Sequence, residues 1–135
     1  MILIDSSCWI EFLRPGGDPH VRAFVADALE QGEAAVCDVT RVEILGNIAR
    51  DREYEVTKTV FDGATAVAVD RADYDRGIAV GRALRKSGYA APAVDLVLAA
   101  VALNRDALVL HTDRHFEVMG EVAGLRERFA GPAKA

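Results

Sequence analysis

Lysine and cysteine are scarce in this chain, and it contains no long apolar run. Its two cysteines, Cys8 and Cys37, lack Cys-x-x-Cys spacing, so we expect buried, reduced thiols rather than a disulfide framework. The longest uncharged apolar run, residues 96–103, is far too short to cross a bilayer. No basic flank precedes the first apolar residues, as a secretory leader would require. These absences predict a cytoplasmic protein with no membrane association.

Several classes of small α/β protein are disfavoured by what the chain does not contain. No segment matches Gly-x-x-x-x-Gly-Lys-Ser/Thr, the loop that cradles phosphates in many nucleotide-binding domains. The lysines are Lys58, Lys86 and Lys134, and none follows a late strand, where a phospho-acceptor switch domain normally carries one. A phosphatase with an aspartate nucleophile would prefer a second acid two residues after Asp5, where this chain has Ser7.

The composition is typical of one globular domain. The chain has 135 residues, of which 51% are apolar, and this suffices for a single hydrophobic core. We assign residues 1–130 to that domain and residues 131–135 to a flexible C-terminal tail. The net charge of −5 disfavours nucleic-acid binding. However, most basic residues are arginine, and a divalent cation held by acids can reverse the local field, so RNA binding stays open.

Apolar segments that suit β-strands alternate along the chain with segments of helical periodicity. Strands are predicted at residues 1–4, 34–38, 66–70 and 107–112. Helices are predicted between them, with Ser6 and Ser7 capping the first helix, Thr40 beginning a later one and Pro92 starting the last. Because the apolar strands alternate with helices, we predict an α/β fold with a mainly parallel central sheet covered on both faces.

Four acids lie where the carboxyl ends of the predicted strands should meet. Asp5 and Asp113 directly follow the first and fourth strands. Glu43 lies in the first turn of the helix after the second strand, and Asp95 lies near the start of a later helix. In a parallel sheet these positions share one edge, where ligands collect at a change in strand order. Like charges repel at close range unless a cation lies between them, and the hard ions Mg²⁺ and Mn²⁺ suit an all-carboxylate site.

Each of these acids also has a structural explanation. Thr40 and Glu43 have the spacing of a capping box. Asp95 would favour the positive end of a helix dipole, and the other two acids would act in a cap or an Asx turn. Another pair, Asp70 and Asp73, also follows a strand, and its spacing makes helix capping the preferred interpretation. The residues by themselves leave both interpretations of the four acids open.

The same regions carry a family resemblance. The segments are MILIDSSCWIEFL at residues 1–13, TRVEIL at 40–45, PAVDLVLAAVAL at 92–103 and LVLHTDRHF at 108–116. In this order and spacing they resemble the PIN-domain ribonucleases, and most of all the VapC toxins of bacterial toxin–antitoxin pairs. The resemblance covers nearly the whole chain. It implies a three-layer α/β/α sandwich, a homodimer and silencing by a cognate antitoxin.

The resemblance also implies metal-dependent cleavage of RNA at the four acids. In this interpretation Asp5, Asp95 and Asp113 bind Mg²⁺ or Mn²⁺, while Glu43 either binds the metal or orients its water. Such an ion makes a hydroxide-like nucleophile and neutralises the charge that develops on the phosphate. The family similarity implies products with a 5′ phosphate and a 3′ hydroxyl.

The chain departs from the family pattern at three positions. Ser6 stands where such toxins often carry Thr, Ala93 where they carry Asp, and His115 where they carry an acid. The last two changes leave fewer acids around the predicted pocket, which affects how many metal ions it holds and how tightly. The three histidines of the chain do not have the spacing of a zinc site.

Basic and hydroxyl groups near the predicted pocket are candidates for RNA contacts. Those assigned to the substrate are Arg14, Arg41, Arg114 and Thr112. Arg82, Arg85 and Lys86 also lie on a helix leading to the pocket, but their pattern is more typical of a solvated helix face. The predicted function is a metal-dependent endoribonuclease, and the alternative is a non-catalytic RNA-binding or protein-interaction domain with the same fold.

Overall fold

A five-stranded sheet, entirely parallel, forms the centre of the molecule in a computed structural model that describes residues 1–132. The strands are β1 (Ile2–Ile4), β2 (Ala34–Cys37), β3 (Thr65–Val67), β4 (Leu108–His111) and β5 (Glu127–Phe129). The helices are α1 (Ser6–Leu13), α2 (Pro19–Glu30), α3 (Asp38–Leu45), α4 (Asp51–Asp62), α5 (Arg71–Lys86), α6 (Ala93–Arg105) and α7 (Arg114–Ala123). Of the predicted tail, residues 133–135 lie outside the described residues.

The strand order places the first strand of the chain in the middle of the sheet. The order is β3-β2-β1-β4-β5, and Leu3 of β1 pairs with Ala35 of β2 on one side and Val109 of β4 on the other. The chain therefore adds β2 and β3 on one side of β1, and later adds β4 and β5 on the other side. This reversal opens a crevice at the carboxyl ends of β1 and β4, which is where open parallel sheets bind ligands.

Alternating side chains of the strands build a separate apolar core on each face of the sheet. Leu3 and Val109 face a core that includes residues of α5, α6 and α7. Their neighbours Ile4 and Leu110 face a second core with residues of α1, α2, α3 and α4. Because successive strand residues point to opposite faces, a sheet with apolar residues at consecutive positions must be covered on both sides. The predicted three-layer α/β/α sandwich is confirmed.

Two elements near the C-terminus were not predicted from the sequence. Helix α7 begins directly after Asp113, which caps it. Strand β5 has three residues and lies at the edge of the sheet, with Arg128 exposed between two half-buried neighbours. A short edge strand that contains ionisable residues lacks the apolar run on which strand prediction depends. Within residues 1–132, no helix combines the length and apolar character needed to span a bilayer.

A buried ion pair fixes the start of α5 against the end of α6. Asp70 caps α5 in a capping box with Asp73, as the spacing of the two residues predicts. The Asp73 carboxylate is almost fully buried and accepts hydrogen bonds from the guanidinium of Arg105, at 2.8 and 3.0 Å, and from the amide of Asn104, at 2.9 Å. Burial alone would raise the pKa of Asp73, but these hydrogen bonds and that of the Asp70 amide hold it well below its usual range.

The two cysteines are buried and unpaired, as expected. Cys8 lies in α1 within the core on one face of the sheet, and Cys37 ends β2 within the core on the other face. Burial raises the pKa of the Cys8 thiol to about 12. A thiol in this state is not a reactive nucleophile.

Candidate functional site

Asp5 lies at the carboxyl end of β1, in the crevice opened by the strand order. Its side chain is buried and caps α1, accepting hydrogen bonds from the Ser7 amide at 3.3 Å and the Ser7 hydroxyl at 2.7 Å. The prediction that Ser6 and Ser7 cap this helix is therefore wrong, because Asp5 has that role. The Ser7 hydroxyl also accepts a hydrogen bond from the Thr112 amide at 3.2 Å, which joins the turn after β1 to the turn after β4.

Glu43 reaches the crevice from α3. This helix begins at Asp38 rather than at Thr40, so the predicted capping box of Thr40 and Glu43 is wrong. Thr40 is buried inside the helix instead. The Oε1 atom of Glu43 is buried and has no hydrogen-bond partner among residues 1–132. Burial and the charge of Asp5 raise the pKa of the Glu43 carboxyl, and a hydrogen bond from Ser6 opposes this only in part.

Asp95 lies in the first turn of α6, which enters the crevice after Pro92. Burial, followed by the charges of Asp5, Asp113 and Glu43, raises the pKa of Asp95 to about 7. Because charges influence one another only over short distances in a protein, these influences place the other three carboxylates in the neighbourhood of Asp95. The structure thus brings the four predicted acids together at one edge of the sheet.

Asp113 closes the crevice from the turn after β4. It caps α7, and its Oδ1 atom accepts a hydrogen bond from the His115 amide at 3.1 Å. The structural explanations considered for Asp5 and Asp113 therefore hold, yet both acids also belong to the cluster. A helix cap at the carboxyl end of a parallel strand faces the ligand crevice, so the two roles are compatible.

His115 is a member of this cluster that sequence reasoning missed. One ligand atom each of Asp95, Asp113 and His115 can be chosen so that all three lie within 4.8 Å of one another. From the sequence, His115 was interpreted only as the loss of an acid. A signal was present, because a histidine two residues after Asp113, in the first turn of the helix, lies close to the residue that caps it.

Two hydrogen bonds support the turn that carries Asp113. The buried imidazole of His111, at the end of β4, accepts a hydrogen bond from the Asp113 amide at its Nδ1 atom, at 3.1 Å. Its Nε2 atom lies 2.9 Å from Oε1 of Glu127 in β5. Since Nδ1 accepts, Nε2 carries the proton and donates to Glu127. The edge strand β5 thus helps to hold the Asp113 backbone in place.

The donor set fits a divalent metal ion. The groups that oppose the raised pKa values of Asp5 and Glu43 are Ser6 and Ser7, and every influence on the pKa of Asp95 raises it. Basic side chains of residues 1–132 are not among these groups, so the protein offsets the repulsion within the cluster only in part, through serine hydrogen bonds. Carboxylates that converge in this way, with an unpartnered buried oxygen, are suited to Mg²⁺ or Mn²⁺.

The candidate RNA-contacting residues lie in different environments. Arg114 is exposed beside Asp113, and Thr112 is half-buried in the same turn. Arg14 follows α1 and donates hydrogen bonds to Glu11. Arg41 places its guanidinium 5.7 Å from the centre of the Phe61 ring. It stands two residues before Glu43, which puts the two side chains on nearly opposite sides of α3.

An apolar groove adjoins the acidic crevice. It has a volume of about 740 Å³ and is bordered by α1, α3 and α4, so we call it the α1/α3/α4 groove. Its apolar lining includes Ile10, Leu13, Ile44, Ile48 and Val56, and its polar lining includes Glu43, Arg14, Arg50 and Arg52. Glu43 therefore belongs both to the groove and to the acidic cluster. This surface was not predicted from the sequence.

Comparison with known proteins identifies related sequences over most of the chain. The family model described as PIN domain matches residues 2–122. Ribonuclease VapC11 of Mycobacterium tuberculosis is 29% identical over 131 residues, covering 93% of this chain and 96% of its own. Ribonuclease VapC18 of the same species is 26% identical over 125 residues, covering 90% and 88% of the two chains.

Solved structures with the same fold include complexes of toxins with antitoxins. The DNA-bound VapBC structure from Salmonella typhimurium superposes with a TM-score of 0.79 at 16% identity, covering 95% of this chain and 96% of the other. The FitAcB structure from Neisseria gonorrhoeae has a TM-score of 0.74 at 19% identity, with 94% and 96% of the chains covered. At these identities the likeness concerns the fold.

Proposed function

Because this chain belongs to the PIN domain family, we propose that it is a metal-dependent endoribonuclease and the toxin of a toxin–antitoxin pair. The curated relatives that match nearly its full length are named as VapC ribonucleases. Among the structures that share its fold are VapBC complexes, one of them from a family described as toxin–antitoxin systems. Both findings support hydrolysis of RNA and an antitoxin partner.

The observation that carries the proposal is the convergence of Asp5, Glu43, Asp95 and Asp113. Burial, and then the charges of the other three carboxylates, raise the pKa of Asp95 to about 7. A folded protein that keeps such a cluster with no arginine or lysine of residues 1–132 paired to it is less stable than it would be otherwise, which is typical of a site built to bind a cation. The non-catalytic alternative does not require all four acids.

In the proposed reaction the chain supplies ligands, a proton acceptor and orientation. Asp5, Asp95 and Asp113 would hold the metal, and Ser7 fixes the Asp5 carboxylate by donating hydrogen bonds from its hydroxyl and its amide. A bound Mg²⁺ or Mn²⁺ supplies Lewis-acid activation of water and neutralises charge on the phosphate. Glu43 would bind the metal or orient the attacking water, and its raised pKa makes its carboxylate a better proton acceptor than an ordinary glutamate. Hydrolysis leaves a 5′ phosphate and a 3′ hydroxyl.

RNA approaches along the turn that follows β4. Arg114 is the best placed of the predicted contacts, because it is exposed directly beside Asp113. Thr112 supplies a hydroxyl in the same turn. Arg14, at the end of α1, lines the α1/α3/α4 groove and contacts the phosphate backbone farther along the RNA. Arg41 packs against Phe61 and contributes least. Such contacts position the RNA without reading its sequence.

The antitoxin and a second copy of the chain use different surfaces in this proposal. An apolar antitoxin segment lies in the α1/α3/α4 groove and reaches the acidic cluster at Glu43. The homodimer forms through α5, where Tyr74 and Ile78 lie four residues apart on one helix face and are 49% and 63% exposed. Large apolar side chains that are exposed together favour a protein interface.

Induced expression in cells tests the nuclease assignment. The wild type, Asp95→Asn and the control Asp27→Asn, which alters an exposed aspartate on α2, are expressed to equal levels, and RNA 5′ ends are sequenced. We expect growth arrest and new 5′-phosphate ends with the wild type and the control, and neither effect with Asp95→Asn. Purified protein should cleave RNA in the presence of Mg²⁺ or Mn²⁺, and addition of EDTA should stop the cleavage. Equal arrest by all three proteins without new RNA ends would overturn the proposal.

A further inference from the structure

His115 introduces a nitrogen donor into an otherwise carboxylate cluster. Its Nε2 atom lies 3.5 Å from Oδ1 of Asp113, and its ligand atom is within 4.8 Å of those of Asp95 and Asp113. A separation of 3.5 Å is too long for a good hydrogen bond, so the contact with Asp113 does not by itself account for the position of the ring. The side chain is 28% exposed and therefore accessible from the crevice.

Tyr89 forms a hydrogen bond with the other nitrogen of the His115 ring. The Tyr89 hydroxyl lies 3.0 Å from Nδ1 of His115, and the two rings meet edge to face with centroids 5.8 Å apart. This contact holds the ring in one orientation and leaves Nε2 as the nitrogen that faces Asp113. A hydroxyl both donates and accepts, so its oxygen can accept a hydrogen bond from Nδ1–H when Nε2 binds a metal. A partner of this kind on the distal nitrogen is what metal-binding histidines usually have.

We propose that His115 is a nitrogen ligand of the divalent ion, positioned by Tyr89, and that the site therefore binds Mn²⁺ more tightly than Mg²⁺. The inference rests on the proposed function to the extent that the same cluster must bind a divalent ion. It goes further by selecting the ion and adding a ligand that the four acids do not include.

The preference follows from the chemistry of the two ions. Mg²⁺ requires oxygen ligands and gains most from negative charge, so an imidazole in place of a carboxylate weakens its binding. Mn²⁺ also accepts carboxylates, but as a transition ion it gains more from an imidazole nitrogen. Because Mn²⁺ lies at the weak end of the transition series, we expect a preference of about tenfold rather than of many orders of magnitude.

Direct detection of the nitrogen tests the proposal. Full-length protein without a histidine tag is loaded with Mn²⁺ alone in a nitrogen-free buffer, and pulsed electron paramagnetic resonance is recorded. A coordinated imidazole gives a nitrogen modulation of the Mn²⁺ signal, which we expect in the wild type. Uniform histidine labelling with the heavy nitrogen isotope should change the modulation. Mn²⁺ that binds without nitrogen modulation would overturn the proposal, whatever the variants do.

Variants separate coordination by His115 from a merely structural role. In His115→Asp the nitrogen modulation should disappear, and the ratio of the Mg²⁺ and Mn²⁺ dissociation constants, measured by calorimetry, should fall by about tenfold. Tyr89→Phe keeps the ring but loses the hydroxyl, and should weaken Mn²⁺ binding by about tenfold. His20→Ala, which removes an exposed histidine on α2, should match the wild type in both measurements.

The outcomes distinguish this inference from the proposed function. If neither ion binds the wild type, both fail. If Mn²⁺ and Mg²⁺ bind and RNA is cleaved, but the ratio of dissociation constants is the same in the wild type and in His115→Asp, the endoribonuclease stands and the ligand assignment is wrong. If the ratio falls in His115→Asp while thermal unfolding stays close to that of the wild type, the loss of a ligand rather than misfolding explains the result.

Discussion

Replacing Asp95 by asparagine is expected to stabilise the metal-free protein while it abolishes cleavage. The repulsion described above, together with burial, raises the pKa of Asp95 from 3.8 to about 7. A carboxyl group with a raised pKa in the folded state destabilises that state whenever it is ionised. Asparagine has nearly the same size but no charge, so it removes this cost.

The sign and the size of the effect follow from proton linkage. Between the ordinary pKa of 3.8 and the folded value of about 7, the folded chain holds more protons than the unfolded chain. Stability therefore decreases as the pH rises through this window and is lowest above it. At about 1.4 kcal/mol per pKa unit the full effect is about 4 kcal/mol. Asp95 is partly exposed, and solvent screening reduces the expected value to about 2 kcal/mol.

Differential scanning calorimetry in EDTA at pH 8 and pH 5 measures the effect. At pH 8 Asp95→Asn should unfold about 6–10 °C above the wild type, given the usual entropy of unfolding for a domain of this length. The difference should be smaller at pH 5, where the folded wild type keeps Asp95 protonated. The control Asp27→Asn should not differ from the wild type at either pH. Saturating Mn²⁺ should stabilise the wild type but not Asp95→Asn, because only binding to the folded state raises stability.

Two results would refute the reasoning. If Asp95→Asn and the wild type unfold at the same temperature at pH 8 without metal, the four carboxylates do not repel one another in solution. If Asp95→Asn is more stable by the same amount at both pH values, the gain has another origin, such as a new hydrogen bond of the amide, and the electrostatic explanation is wrong.

Two further predictions concern an ion pair that stabilises the fold and a hydrogen bond that supports the site. Arg105→Ala leaves the buried Asp73 carboxylate with the Asn104 amide as its remaining side-chain donor and should cost about 3 kcal/mol in urea unfolding at pH 7. Since the pKa of Asp73 is depressed in the folded wild type, the wild type should lose this stabilisation as the pH falls below the ordinary aspartate value, and the difference should shrink there. Glu127→Ala removes the acceptor of the hydrogen bond from His111 Nε2 and should weaken Mn²⁺ binding by about tenfold. Glu127→Gln keeps an oxygen that can accept this hydrogen bond and should bind Mn²⁺ as the wild type does. Equal dissociation constants in the wild type and Glu127→Ala would show that β5 does not hold Asp113 in place.

Much of the fold was predictable because the pattern of apolar residues is local. Residues 2–4 and 107–110 are apolar at consecutive positions, and this pattern suits strands that are buried on both faces. Helix boundaries were less accurate: α3 begins at Asp38, and the expected capping box at Thr40 is not formed. A Thr followed three residues later by a Glu can lie at the start of a helix or one turn inside it. The spacing of Thr40 and Glu43 therefore could not decide where α3 begins.

The sequence by itself determined that Asp5 and Asp113 lie at the ligand edge, because the residues that follow parallel strands all lie at the same edge of the sheet. Only the tertiary structure decided which side chains of the helices reach the site, because the rotation of a helix about its axis depends on what it packs against. Packing of α3 turns Glu43 into the crevice and leaves Arg41 over Phe61. Packing of α7 and the loop after α5 likewise brings His115 to Tyr89, a contact between residues 26 positions apart in the chain that no local pattern encodes.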